Sequence, residues 1–231
     1  MKRHFILIIL FLTFKAAFTQ EKPLSTVIDS LYREDQFYIG ITYNLLGNKP
    51  NDLSQSGLSS GLQFGFIRDM PINKNRNIAI GIGFGYSMNS YNNNLFIEKD
   101  ANSNYVYSII GSEINYSKNK INNHIIEMPI EFRWRKSTPI SYNFWRFYTG
   151  VKIGYVLLDK YKFSGDSGDF THNNIDDLNS LQYGLTASLG YNTWNLYLYY
   201  GLNPLFKNSA EINGEKINMN TLKVGLMFYI L

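Results

Sequence analysis

The amino-acid sequence predicts an all-β fold: an eight-stranded antiparallel up-and-down transmembrane β-barrel of the outer membrane, preceded by a cleaved signal peptide. Three observations carry this. Eight segments alternate with period two, the sign of strands with two unlike faces. The connections between them alternate long and short, as in a barrel that gathers its long loops at one rim and its short turns at the other. The chain also opens with the layout of an export signal. The expected organisation is a signal peptide over 1–19, a periplasmic leader over 20–35 and a barrel domain over 36–231.

The signal reads "MKRHFILIILFLTFKAAFTQ": a basic start, an apolar run from Phe5 to Phe14, and a small-residue site ending Ala17, Phe18, Thr19 before Gln20. An uncleaved anchor is the alternative, but the run is about half the roughly 20 residues a spanning helix needs, and Lys15 interrupts its end. The chain has no cysteine, which excludes lipoprotein processing and disulfides. The formal charge is +4; Lys2, Arg3 and Lys15 leave with the signal, so the mature chain carries about +1 and nucleic acid is not expected as a partner. The leader, "EKPLSTVIDSLYRED", has the pattern of a short helix capped by Ser25, with Leu24, Ile28, Leu31 and Tyr32 on one side. A flexible leader or a tuck against the barrel rim fits it as well.

The first strand segment, Gln36 to Leu46, aligns Phe37, Ile39, Ile41, Tyr43 and Leu45 on one face. The second, Leu58 to Asp69, carries Leu62, Phe64 and Phe66. The third, Ile78 to Asn89, sets Ile78, Ile80, Ile82, Phe84, Tyr86 and Met88 against Ala79, Gly81, Gly83, Gly85, Ser87 and Asn89. The fourth, "HIIEMPIEFRWR" from His124 to Arg135, opposes Ile126, Met128, Ile130, Phe132 and Trp134 to Glu127, Pro129, Glu131, Arg133 and Arg135. The fifth, Phe144 to Leu157, sets Trp145, Phe147, Val151, Ile153, Tyr155 and Leu157 against Arg146, Tyr148, Gly150, Lys152 and Gly154. The sixth (Leu181 to Tyr191), seventh (Trp194 to Leu202) and eighth (Thr221 to Leu231) continue the alternation. Each is long enough to cross a bilayer at a tilt of roughly 45°. No later apolar stretch is long enough to span as a helix.

Alternation alone also fits a water-soluble eight-stranded barrel. Side-chain size separates the two readings. The interior of eight strands is just wide enough to be filled by side chains, and the apolar face here is crowded with Trp, Phe, Tyr, Ile and Leu, while the other face of the third and sixth segments is Gly, Ala, Ser, Thr and amide without charge. Small residues suit a narrow lumen, so the apolar face is the outside. That turns Glu127, Glu131, Arg133, Arg135, Arg146 and Lys152 into the lumen, where charges persist only when paired. The expected role of this network is structural; a proton or ion path is the functional alternative that intramembrane charge suggests. Pro129 offers no ladder donor, so a bulge or bend is expected beside it.

Catalytic, cofactor and metal sites are not expected. His124 sits at the long-loop rim, and His172, near Asp166 and Asp169, lies in "SGDSGDFTHNN", a composition that reads as solvated turn. The glycines of "GIGFGYSMN" continue a strand's small face and precede no helix. The Asn/Tyr/Ser-rich connection from Ser90 to Asn123 is the largest expected exposed feature and the best candidate for a surface interaction.

The stretches "YREDQFYIGITYNLL", "GFIRDMPINKNRNIAIGIGFGYS", "HIIEMPIEFRWR" and "WRFYTGVKIGYVL", in this order behind an export signal, resemble the PorT/SprT family of the Bacteroidetes over nearly all of the mature chain. "RDMPINKNRNIAIG" and "IIEMPIEFRWR" are the more specific parts. The resemblance implies a non-enzymatic outer-membrane component of the type IX protein secretion system, which also supports gliding motility in gliding species. Its implied partners are outer-membrane lipid and other secretion-system proteins, with no small-molecule substrate. The alternative is an adhesin or surface-recognition barrel that uses its long loops.

Overall fold

The computed structural model describes residues 33–136 and 144–230. The expected signal peptide, most of the leader and the tip of the turn after the fourth segment lie outside them. The strands are β1 (Gln36–Gly47), β2 (Ser60–Pro71), β3 (Ile78–Asn92), β4 (Leu95–Lys99), β5 (Tyr105–Ile109), β6 (Tyr116–Arg135), β7 (Trp145–Gly165), β8 (Gly168–Asn173), β9 (Leu181–Tyr191), β10 (Trp194–Gly201), β11 (Glu211–Ile212), β12 (Glu215–Lys216) and β13 (Asn220–Ile230). Among the described residues there is no helix.

Eight of these strands are staves, antiparallel in the order β6, β3, β2, β1, β13, β10, β9, β7, and pairing of β6 with β7 closes the ring. Closure leaves no sheet edge along the wall, the condition for strands to cross lipid. The first and last staves meet over their full length, from Phe37 opposite Ile230 to Gly47 opposite Asn220. The short turns β2–β3, β6–β7 and β9–β10 share one rim. At the tightest of them Asn192 takes φ 56°, in the left-handed region that Asn tolerates.

Two staves exceed the sequence reading. β6 begins at Tyr116 rather than His124, and β7 runs to Gly165 rather than Leu157. In β6 the outward residues turn polar (Asn122, Lys120, Lys118), so the hydropathic contrast fades while the strand continues. In β7 the phase itself changes: His124 pairs with Leu158 but Ile125 pairs with Val156, so Leu157 is an extra residue, a β-bulge. Leu157 and Leu158 both face out, and beyond them Tyr161 and Phe163 face in. Of the bulge or bend expected beside Pro129, a bulge does not form there. Register between β3 and β6 is the same on either side of Pro129, where the ladder omits Gly83 and Phe84 and resumes unchanged.

The outer wall is apolar on every stave. All three tryptophans, Trp134, Trp145 and Trp194, lie on it beside the short turns, 41%, 54% and 64% exposed. Toward the long loops the outward aromatics are Tyr43, Tyr86, Tyr155, Tyr183 and Tyr200. Trp145 and Tyr155 are ten residues apart on β7, about 34 Å along a strand and about 26 Å of height at a tilt near 40°. That matches the apolar band of roughly 25 Å between aromatic girdles in membrane barrels.

The long connections do not splay into solvent. The β4–β5 and β11–β12 hairpins, β8 and their neighbours form an apolar cap over that end of the barrel, with Leu95, Ile97, Tyr107, Ile110, Phe163, Ile175, Leu205 and Phe206 buried in one cluster. The 90–123 connection, expected as an exposed feature, thus supplies part of a core. Its turns stay at the surface.

Candidate functional site in the barrel lumen

The parity that turns Ile126 to Trp134 outward turns the alternate residues inward. The structure places Glu127, Glu131, Arg133, Arg135, Arg146 and Lys152 inside, all buried. Three further buried charges join them: Glu34, Asp69 and Lys223. Around them pack the inward tyrosines Tyr38, Tyr148, Tyr197, Tyr199 and Tyr229. Glycines make their room: a Cβ on Gly81 would stand 2.8 Å from Arg133 Cδ, and one on Gly85 would overlap the Tyr38 hydroxyl.

Near the short-turn rim the network centres on Asp69. Arg135 donates to both its oxygens, Nη1 to Oδ1 at 2.7 Å and Nη2 to Oδ2 at 2.8 Å, the bidentate fork in which a guanidinium binds most strongly. Arg133 Nη1 reaches Asp69 Oδ1 at 3.0 Å, and its Nε lies 3.3 Å from Glu131 Oε2. The Arg133 guanidinium also lies over the Tyr148 ring, 4.2 Å from its centroid. Arg146 stacks on Phe144 at 4.6 Å. The start of β1 and the residues ahead of it are held at this mouth: Arg133 Nη1 donates to the Glu34 carbonyl at 3.3 Å, Nη2 to Gln36 Oε1 at 2.5 Å, and Arg68 pairs with Asp35 at 3.0 Å. Burial raises the Glu34 carboxyl above the ordinary carboxylate range, against the pull of Arg135 and Arg146.

Midway up, Lys152 Nζ pairs with Glu127 Oε2 at 2.9 Å and donates to Gln63 Oε1 at 2.6 Å. Ser87 Oγ donates to Glu127 Oε1 at 2.7 Å. Lys223 lies across from them, its Nζ 5.0 Å from the Tyr199 ring, on a cavity of about 10 Å³ that Glu127, Gln182 and Thr221 also line. That is about one water site. Above this level a layer of buried hydroxyls and amides follows, Thr42 with Asn44 and Asn89 with Asn123, and then the cap, so among the described residues side chains fill the lumen from mouth to cap.

Strand parity already placed the three missed charges. On β2 the outward Phe64, Phe66 and Arg68 put Asp69 inward. The same alternation sets Lys223 between the outward Leu222 and Val224, and carried back past Gln36 it turns Glu34 inward.

Among the described residues, His124 and His172 do not assemble with acids. His124 faces outward and shares a 2.7 Å hydrogen bond with the Tyr86 hydroxyl. His172 stacks on Tyr161, ring centroids 5.9 Å apart, and its pKa is lowered by burial and by Lys99. Asp169, three residues away on β8, leaves the opposite face of the strand, and Asp166 accepts from the backbone and side chain of Asn115, both at 3.1 Å.

A closed antiparallel barrel with an apolar outside, two aromatic girdles and a polar, charge-paired inside is a bilayer-spanning protein of the outer membrane. The family described as "outer membrane protein beta-barrel domain" matches residues 18–207. The chain belongs to that family. The match ends before β13, the stave that closes the ring onto β1. No curated protein matches the chain.

Proposed function

We propose that this chain is a non-enzymatic component of the type IX protein secretion system that acts through protein contacts in the outer membrane, and supports gliding motility in species that glide. The observation that carries the contact mode is the sealed lumen: a barrel filled by Tyr, Arg, Glu and Lys and closed by an apolar cap offers other proteins its rims and wall rather than a conduit. The assignment to this system rests on the PorT/SprT-like stretches, above all "RDMPINKNRNIAIG" and "IIEMPIEFRWR". The first forms the end of β2, the β2–β3 turn and the start of β3, and the second lies in β6, so the turn and the Asp69 network come together at the short-turn mouth. That mouth is where a periplasmic partner would meet the barrel.

Deleting the chain and measuring secretion of type IX cargo tests this. Cargo is expected to be retained in the cell, and undiminished secretion rejects the proposal. A second reading, a surface-recognition barrel or adhesin, draws on the cap, whose packed core holds its outer turns in a defined shape. Intact secretion with lost surface binding favours it.

A further inference from the structure

The lipid-facing wall does not end alike all round. On β1, β9 and β13 the last large outward side chains toward the long loops are Leu45, Leu181 and Leu222, and on β3 Met88 is followed by the uncharged Ser90 and Asn92. On β6 and β7 the outward face continues into lysine. Lys120 stands directly opposite Lys162, Asn122 opposite Lys160, and Lys118 opposite Ser164. The parity that turns Tyr161 and Phe163 into the cap turns Lys160 and Lys162 out, and Lys118 and Lys120 share the outward face of Asn122 and His124.

Opposed side chains on one face of an antiparallel pair lie about 5 Å apart at Cβ, and like charges there repel. Among the described residues none of the four lysines has an ion pair; Asp159, next to Lys160, lies on the inward face, and Asp169, opposite Ser164 on β8, is the acid on their own face of the ladder. The position of the patch is as specific as its charge. Lys160 and Lys162 lie two and four residues beyond Leu158, about 5 and 10 Å higher at the usual rise and tilt. Counted in register from Tyr155 they stand about 10 and 15 Å beyond the tyrosine girdle, on the long-loop side of the headgroup layer, toward which their long stems can reach back.

We propose that Lys118, Lys120, Lys160 and Lys162 form a docking surface for the phosphate groups of lipid headgroups in the outer leaflet. A phosphate between Lys120 and Lys162 turns a repulsive cross-strand pair into a bridged one, and the acyl chains of the same lipid continue down the apolar wall below Leu158. Lysine on a long stem suits the task because it reaches along the interface as a point charge.

The test uses the full barrel in detergent, titrated with bisphosphorylated lipid A, its dephosphorylated form or phosphatidylcholine, with bound lipid counted by native mass spectrometry. Wild type is expected to prefer the phosphorylated lipid. The quadruple Lys→Gln variant at 118, 120, 160 and 162 loses at least ten-fold in affinity for it, while Lys74→Gln in the short-turn β2–β3 connection does not. Equal affinity of wild type and the quadruple variant, or equal binding of the dephosphorylated lipid, overturns the proposal. Displacement by inorganic phosphate at matched phosphate concentration overturns the lipid as its source. Should the quadruple variant fail to fold, Lys120→Gln with Lys162→Gln carries the same comparison, and phosphorylated lipid A is expected to raise the thermal midpoint of wild type but not of this pair; equal rises count against the site.

Discussion

Asp69 shows what one residue contributes inside a sealed barrel. It accepts from two guanidiniums that have no access to water, so removing it leaves buried cations without their anion, a loss of about 3–5 kcal/mol for a broken buried pair. Asp69→Ala is expected to lower barrel stability by that order. Glu131→Gln, which removes only the weaker contact to Arg133, costs less. Urea unfolding of the refolded barrel in detergent measures both, and equal effects would dismiss Asp69 as the centre of the network. Among single residues the sequence was legible to the extent that parity was followed. Glu127, Glu131, Arg133 and Arg135 stood out because they interrupt a strongly apolar strand. Asp69 at a strand end and Lys223 between two apolar residues carried the same information without the contrast. Which base Asp69 meets was not legible, because its pairs reach from β2 past β3 to Arg133 and Arg135 on β6 and depend on the three-dimensional register.

At the scale of the strand, period two is enough to find a stave and not enough to find where it stops. β7 is the instructive case. Its outward residues are odd-numbered up to Leu157 and even-numbered from Leu158, and the extra residue at Leu157 reconciles the two. Deleting Leu157 removes the bulge and leaves the faces on both sides in place, so this variant is expected to fold. Deleting Val151, in the same strand, turns Trp145 and Phe147 inward and Arg146 into lipid, and no barrel should form. Heat-modifiable migration on gels distinguishes the two, and a folded Val151 deletion would contradict the assignment of faces. Pro129, with no ladder donor, signals a bulge or bend. It lies at an inward position of β6 where the ladder to β3 lapses, so a missing donor interrupts the bonding without shifting the register.

For the molecule as a whole, closure was legible from an even strand number and the alternation of loop lengths. The cap was not. Leu95, Ile97, Tyr107, Ile110, Ile175 and Phe206 are scattered through Asn- and Ser-rich connections and become a core only when loops far apart in sequence meet. The cap above and the paired charges below imply a barrel that does not conduct. In planar bilayers the refolded protein is expected to show no stepwise conductance, and steady channels would refute the filled lumen. The three tryptophans have a further consequence, because all of them stand at one rim. Their ultraviolet emission arises wholly from the membrane interface beside the short turns. The protein thus carries a built-in optical marker of a single leaflet, and the direction in which a barrel has inserted into a vesicle is written in which side's quenchers dim it.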